Sequence, residues 1–243
     1  MPAPVYIGTS GWSYAAWKDR FYRGVARKDW LPFCAQRFTG LEINASFYRL
    51  QDAATFERWR TQTPEGFRFA LKANRYLTHN RKLNAPQASV ALERRRAAHL
   101  GEKLAAVIWQ LPGNLRCHDD RLAQFLLALR AWPEVRHAIE FRHRSWFNAT
   151  VAQSLSAAGV AVCQSDAADW PMWTEITTDL VYVRLHGHTR TYASAYSSAH
   201  LQRWAEAVRG WSRDGRTVHV YFDNDAEGAA PRDALRLLDM IGG

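Results

Sequence analysis

The 243-residue chain has no run of about 18 apolar residues, so no membrane-spanning helix is expected. Its opening, Met1-Pro2-Ala3-Pro4-Val5-Tyr6-Ile7, carries neither a basic segment nor a long apolar one; no export signal is recognisable, and the cytoplasm is the expected location. Cysteine is scarce. Cys34, Cys117 and Cys163 are odd in number and far apart, and no Cys-x-x-Cys or Cys/His cluster has zinc spacing, which argues against a disulfide framework and a structural zinc site. Neither GxGxxG nor GxxxxGK[ST] is present; Gly8-Thr9-Ser10-Gly11 is a short glycine-bearing turn and only a weak anion cradle. HExxH is missing too, so a metal site would need ligands gathered from distant segments.

What is present belongs to a folded protein. Apolar residues make up 47% of the chain, and 11 Trp, 11 Phe and 9 Tyr stand beside only 23% charged residues, a composition that buries a large core. Lys+Arg number 32 against 23 Asp+Glu, and the excess belongs to residues 1–100, which carry +10 while residues 101–243 carry −1. A one-sided basic surface attracts polyanions, although scattered arginine also serves solubility. The run Glu93-Arg94-Arg95-Arg96 reads as a solvated helix face.

Short apolar runs of β type recur eight times: Val5–Gly8, Gly40–Ile43, Phe67–Leu71, Ala106–Trp109, His137–Phe141, Val160–Cys163, Leu180–Leu185 and Val218–Phe222. Amphipathic stretches of helical period lie between most of them, at Trp30–Phe38, Asp52–Thr61, Pro86–Lys103, Asp119–Leu129, Asn148–Ala158, Ser198–Arg213 and Pro231–Ile241. Asp52 suits an N-cap, Pro231 a first helical turn, and Gly159 and Gly215 helix ends. After the sixth run, Asp169-Trp170-Pro171-Met172-Trp173 breaks the helical period and reads as a loop. Eight strand-then-helix units without linker or repeat predict an α/β fold, a single (β/α)₈ barrel domain over residues 1–243, with a doubly wound open sheet as the alternative.

Side-chain parity then locates a site. In each strand one face is apolar (Leu41 and Ile43, Phe69 and Leu71, Ile139 and Phe141, Val183 and Leu185, Val220 and Phe222) and must meet the helices. The other face sends Glu42, Asn44, Lys72, Asn74, Glu140, Arg142, Arg184, His186, Tyr221 and Asp223 into the barrel near its C-terminal end, where barrel enzymes keep their active sites.

These segments also resemble a known family. Gly8-Thr9-Ser10-Gly11-Trp12-Ser13-Tyr14 with Trp17, Leu41 to Tyr48, Phe69 to Ala73 with Thr78-His79, Trp109-Gln110-Leu111-Pro112, Glu140-Phe141-Arg142-His143 with Ser145-Trp146, Val183 to Gly187 with Tyr192 and Tyr196, and Tyr221-Phe222-Asp223-Asn224 with Ala230-Pro231 are similar to the domain-of-unknown-function 72, or YecE-like, family. The resemblance spans nearly the whole chain and implies a TIM-type barrel, but no activity. Where the family often continues with prolines, Phe21-Tyr22 is here followed by Arg23-Gly24, and a locally altered loop is expected.

Several chemistries can use this ring of charges. A carboxylate pair, Glu42 and Glu140, can flank a glycosidic bond, with Trp12, Trp146 and Tyr196 as stacking platforms. Glu42, Glu140, His186 and Asp223 can instead ligate a divalent metal around a water nucleophile. Lys72 can attack a carbonyl as an amine. A salt-bridge network filling the barrel mouth needs no ligand at all. Lys72, Arg142 and Arg184 converging from three strands favour an anion over a neutral sugar. The expectation is therefore an enzyme of hydrolase or lyase type acting on a phosphate-bearing metabolite, nucleotide or nucleic acid. Its acid/base groups would be Glu42, Glu140, Asp223 and His186, and its substrate contacts Trp12, Asn44, Lys72, Asn74, Gln110, Arg142, Trp146, Arg184, Tyr221 and Asn224. A non-catalytic nucleic-acid-binding protein is the competing class. His79, His143 and Asp166 are secondary candidates. No membrane partner is expected.

Overall fold

The computed structural model describes residues 1–242. Eight parallel strands, β1 (Val5–Thr9), β2 (Gly40–Ile43), β3 (Arg68–Lys72), β4 (Leu104–Gln110), β5 (Arg136–Glu140), β6 (Val160–Asp166), β7 (Leu180–Leu185) and β8 (Thr217–Phe222), form one sheet in the order β1-β8-β7-β6-β5-β4-β3-β2. The two ends of that order meet. A bridge joins Ser10 to Glu42, and the Gly11 N–H donates to the Glu42 carbonyl at 2.7 Å, so the sheet curls into a nearly closed barrel. The seam depends on glycine, because a Cβ at Gly8 would stand 1.9 Å from the Gly40 carbonyl oxygen.

The helices are α1 (Trp30–Ala35), α2 (Ala45–Tyr48), α3 (Ala53–Thr61), α4 (Gln87–Ala97), α5 (Asp119–Leu129), α6 (Ala149–Ala158), α7 (Ser198–Arg213) and α8 (Ala229–Gly242). Asp52 does cap α3, accepting the Thr55 N–H at 2.7 Å, and Asn148 and Ser197 cap α6 and α7 in the same way. Gly159 ends α6 at φ 67°. The helix expected over Pro86–Lys103 is shorter: α4 stops at Ala97 and a tight turn of 3₁₀ type follows, with Gly101 at φ 58° breaking the period. Between β6 and β7 the chain is a loop without a helix. After Phe21-Tyr22, Arg23 and Gly24 both take positive φ, the tight reversal that this local sequence makes.

Parity sorts the core into two layers. Leu41, Ile43, Phe69, Leu71, Ile139, Phe141, Val183, Leu185, Val220 and Phe222 join the apolar layer between sheet and helices. Inside the barrel lie Ala70, Ala106, Ile108, Ala138, Ala161, Cys163, Leu180, Tyr182 and Tyr221, mostly small side chains that fill the narrow interior. Above them the interior turns polar. No helix among the described residues is long and apolar enough to cross a membrane.

Candidate active site

The polar layer is centred on Arg184, fully buried at the end of β7. Its Nε and Nη2 grip Glu42 of β2 at 3.0 and 2.7 Å, Nη1 donates to Glu140 of β5 at 2.7 Å, and Nη2 also reaches Asp223, just past β8, at 2.9 Å. Ser10 accepts from Nη2 at 3.1 Å and His186 Nε2 accepts from Nη1 at 3.2 Å. Since arginine only donates, Nε2 is the acceptor of that pair, and His186 Nδ1 lies 3.0 Å from Asp223 Oδ2. Ser10 and Tyr182 donate to the two oxygens of Glu42 at 2.5 and 2.7 Å. One guanidinium thus ties three strands together.

Arg142 continues the network. Its Nε donates to Glu140 at 2.6 Å, Nη1 donates to the Tyr192 hydroxyl at 3.0 Å, and its plane stacks 3.8 Å over Trp170. Burial alone would raise the Glu140 carboxyl, but Arg142, Arg184 and His186 outweigh it and hold the group well below the usual carboxylate range. Asp223 behaves likewise: burial pushes it up, while Arg184 and His186 pull it further down.

Beside this plug opens a cavity of about 560 Å³, lined by Tyr14, Asn44, Phe47, Tyr48, Lys72, Arg75, His79, Gln110, Tyr192, Asp223 and Asp225. Lys72 ends β3 with 4% of its surface exposed and its Nζ 4.1 Å over the Phe47 ring. Burial, then Arg184, pushes this amine down to about 8, against the opposing pull of Asp223, Glu42 and Glu140. Asp225 goes the other way. Burial and the neighbouring Asp223 charge lift its carboxyl well above the ordinary range, and its Oδ1 is buried without a hydrogen-bond partner. His79 is pushed down to about 4 by burial and by Arg75, Lys72 and Arg142, so it faces the cavity as a neutral imidazole.

The expected site residues therefore divide. Asn44, Lys72, Gln110 and Asp223 line the cavity, whereas Glu42, Glu140, His186 and Arg184 form the sealed network next to it. Arg184 is not an anion clamp, because every donor on it already meets an acceptor. Trp146 is 1% exposed, donates to the Leu115 carbonyl and packs on Phe141, so it cannot stack on a ligand. Tyr221 points down the barrel, its hydroxyl 2.8 Å from His219 Nδ1. Asn224 is buried against Ser194 and Asp233, Asn74 is spent on the Ser46 carbonyl, and Tyr196 is buried against the Gly187 N–H. Trp12 packs edge-on against Trp59 in an adjoining groove. His143 caps the turn at Ser145, and Asp166 pairs with His188 in a different groove.

The metal alternative does not fit these residues. Among the described residues no three His, Cys, Asp or Glu side chains are grouped so as to hold a metal ion, and the four proposed ligands all surround the Arg184 guanidinium instead. Parity could have added Ser10, Ser165 and Tyr182, which share the inward face of their strands. Asp225 lies two residues past Asp223, a spacing that also carried a signal. Arg75, on a loop, carried none.

A family model described as "Protein of unknown function DUF72" matches residues 6–243. The UPF0759 protein YunF of Bacillus subtilis is 26% identical over 269 residues, covering 98% of this chain and 94% of YunF. A DUF72 family protein of Thermotoga maritima has a crystal structure that superposes with a TM-score of 0.88 at 26% identity, covering 99% of this chain and all of that one. A second, from Enterococcus faecalis, gives a TM-score of 0.83 at 20% identity over 98% of this chain and 96% of its own, a likeness of fold.

Proposed function

The chain belongs to the family of proteins of unknown function DUF72, and because that name carries no activity we propose a function from the cavity itself: an enzyme that takes a small phosphate- or carboxylate-bearing substrate into the C-terminal end of the barrel and moves protons on it through Asp225. The observation that carries this reading is the pair Asp223 and Asp225, two carboxyls on one cavity wall whose surroundings drive them apart. A general acid must hold a proton near neutral pH, and paired carboxyls of opposite environment supply one acid and one fixed charge. Glu140 is a poor acid, since two guanidinia keep it ionised; together with Glu42 its role is to hold Arg184 in place. The anion preference rests on Arg75, which lines the cavity while Asp223 is ion-paired with Arg184.

A thermal-shift panel tests the reading. Phosphate- or carboxylate-bearing metabolites at a hundredfold excess over Kd should stabilise the protein by about 2.7 kcal/mol, and Arg75→Ala should weaken the gain. Asp225→Asn should leave anion binding intact and cost turnover about a hundredfold or more. Stabilisation by neutral glycans with none by sugar phosphates would reject the anion and favour a carbohydrate substrate.

A second reading draws on the adjoining groove of about 680 Å³. It sets Arg27, Arg49 and Arg58 beside Trp12 and Trp59, a combination that suits a nucleotide or a nucleic-acid strand, and steep salt dependence of binding to single-stranded nucleic acid would support it.

A further inference from the structure

We propose that Lys72 is a nucleophile that joins the substrate through an imine, which makes the substrate a small aldehyde or ketone carrying the phosphate or carboxylate; the inference rests on the cavity being a site for small anions, as argued above.

The position of Lys72 comes first. Ala70, two residues earlier on β3, belongs to the interior layer, so Lys72 rises from the same face into the barrel mouth and its amine meets the cavity. Its surroundings give the amine nothing to hold. The three nearby carboxylates are engaged by Arg184 and Arg142, and Lys72 Nζ makes no ion pair or hydrogen bond with any described residue, only its contact over Phe47. Lys103, the other buried lysine, shows the contrast: its Nζ donates to the Arg60 and Thr63 carbonyls at 2.6 Å each and to the Thr63 hydroxyl at 3.1 Å. A buried ammonium without acceptors is costly, and shedding the proton removes the cost.

Residue choice points the same way. The chain uses 27 arginines and only five lysines, Lys18, Lys28, Lys72, Lys82 and Lys103. Where a permanent cation is wanted in the mouth it places Arg142 and Arg184. Lysine is the cation that can become a nucleophile, and arginine cannot.

The same cavity supplies the proton carrier. Attack of the Nζ lone pair on the carbonyl carbon forms the N–C bond, and one N–H proton passes to the carbonyl oxygen, giving a carbinolamine. Asp225 then protonates the hydroxyl, the C–O bond breaks, water leaves, and the second N–H proton returns to Asp225 as the C=N bond forms. Amine and carbonyl give imine and water, with no oxidant or reductant. With its nitrogen protonated again by Asp225, the imine draws electrons from the adjacent carbon, which suits cleavage or proton transfer at that carbon.

The test is reductive trapping. The full-length protein is incubated separately with dihydroxyacetone phosphate, glyceraldehyde 3-phosphate and pyruvate, each with cyanoborohydride, and the products are mapped by intact mass and tryptic peptides. At pH 7 an amine at about 8 holds more than about a hundredfold more neutral form than an ordinary lysine. One adduct is therefore expected, on the missed-cleavage peptide Phe69–Arg75, with the other four lysines nearly unlabelled. Its rate should level off above about pH 8, whereas labelling of ordinary lysines keeps rising. The charges that set this profile are Arg184, Asp223, Glu42 and Glu140. Lys72→Arg should lose the adduct and keep the thermal shift by phosphate compounds. An anion-induced shift in the wild-type protein without any Lys72 adduct, or labelling shared evenly among the lysines, overturns the imine and leaves the anion site standing. Absence of both adduct and shift overturns the reading of the cavity as well. If Lys72→Arg does not fold, the wild-type peptide map and pH profile decide alone.

Discussion

Replacing Arg184 with methionine keeps roughly the length of the side chain but removes the charge that three buried carboxylates share. Glu42 loses two hydrogen bonds, while Glu140 and Asp223 lose one each. Deleting one partner of a buried ion pair costs about 3–5 kcal/mol, because the other charge is left uncompensated. For a chain of this size each kcal/mol moves the melting temperature by about 2–4 °C, so a drop of roughly 6–20 °C is expected near neutral pH. The pH dependence separates this mechanism from a packing defect. In the wild-type protein the Glu140 and Asp223 carboxyls lie below their ordinary values, so their stabilisation is present above the unfolded value of about 4 and is lost as pH falls through the folded values. Without Arg184, Asp223 loses the chief opposition to its burial and its folded value rises, while Glu140 keeps Arg142 as its remaining arginine partner. The variant is then most handicapped when these carboxyls must ionise, and the handicap shrinks as they take up protons. Calorimetric melts at about pH 8 and about pH 5 should show the wild-type advantage narrowing at the lower pH. A deficit below about 1 kcal/mol, or one equal at both pH values, would refute the view that Arg184 holds ionised carboxylates.

Two further predictions concern the frame around the site. Gly8→Ala places a Cβ 1.9 Å from the Gly40 carbonyl oxygen, so β1 and β2 must part; a loss at or beyond the upper end of about 1–3 kcal/mol is expected in thermal melts, and an unchanged melting temperature would contradict the seam geometry. Glu93, on α4, is lifted from 4.5 to about 7 by burial, against the pull of the Asn74 N–H and Arg96, so it costs stability as pH rises through that window; Glu93→Gln should stabilise the protein by about 1–3 kcal/mol at pH 8 and by almost nothing at pH 4.5, as read by paired melts.

The fold could be read because a barrel repeats a simple rule. All eight β-type runs became strands, and the apolar parity pairs became the layer under the helices, since each strand must bury one face outward whatever lies inside. What failed was local. The Pro86–Lys103 period ran through Gly101, whose positive φ ends the helical run, and hydrophobic spacing does not report a dihedral angle. Tyr221 and Arg184 share the inward parity of their strands, yet one points down to His219 and the other sideways into three carboxylates. Parity assigns a face but not the depth at which a long side chain ends.

That limit explains how the candidate site moved. From sequence, three cations and three acids at one barrel end read as a clamp first and as a metal cage or a salt-bridge network as alternatives, because all three need the same residue types. Geometry separates them by counting acceptors. Arg184 bonds Glu42, Glu140 and Asp223 at once, with Arg142 as a second cation on Glu140, and so occupies the space among the residues that would have held a metal ion or a phosphate. The acids are consumed at the centre, and the open space is displaced toward β3, α2 and the segment after β8. Groups left over from the pairing face that space: an amine with no acceptor, a carboxyl with no cation and a neutral imidazole. A network built only for stability would have no reason to leave Lys72 and Asp225 unpaired on the walls of one cavity, since pairing them with each other or exposing them to water would cost less. The residues proposed as reactive are thus found by subtracting the ion pairs from the charges, and neither composition nor spacing contains that subtraction.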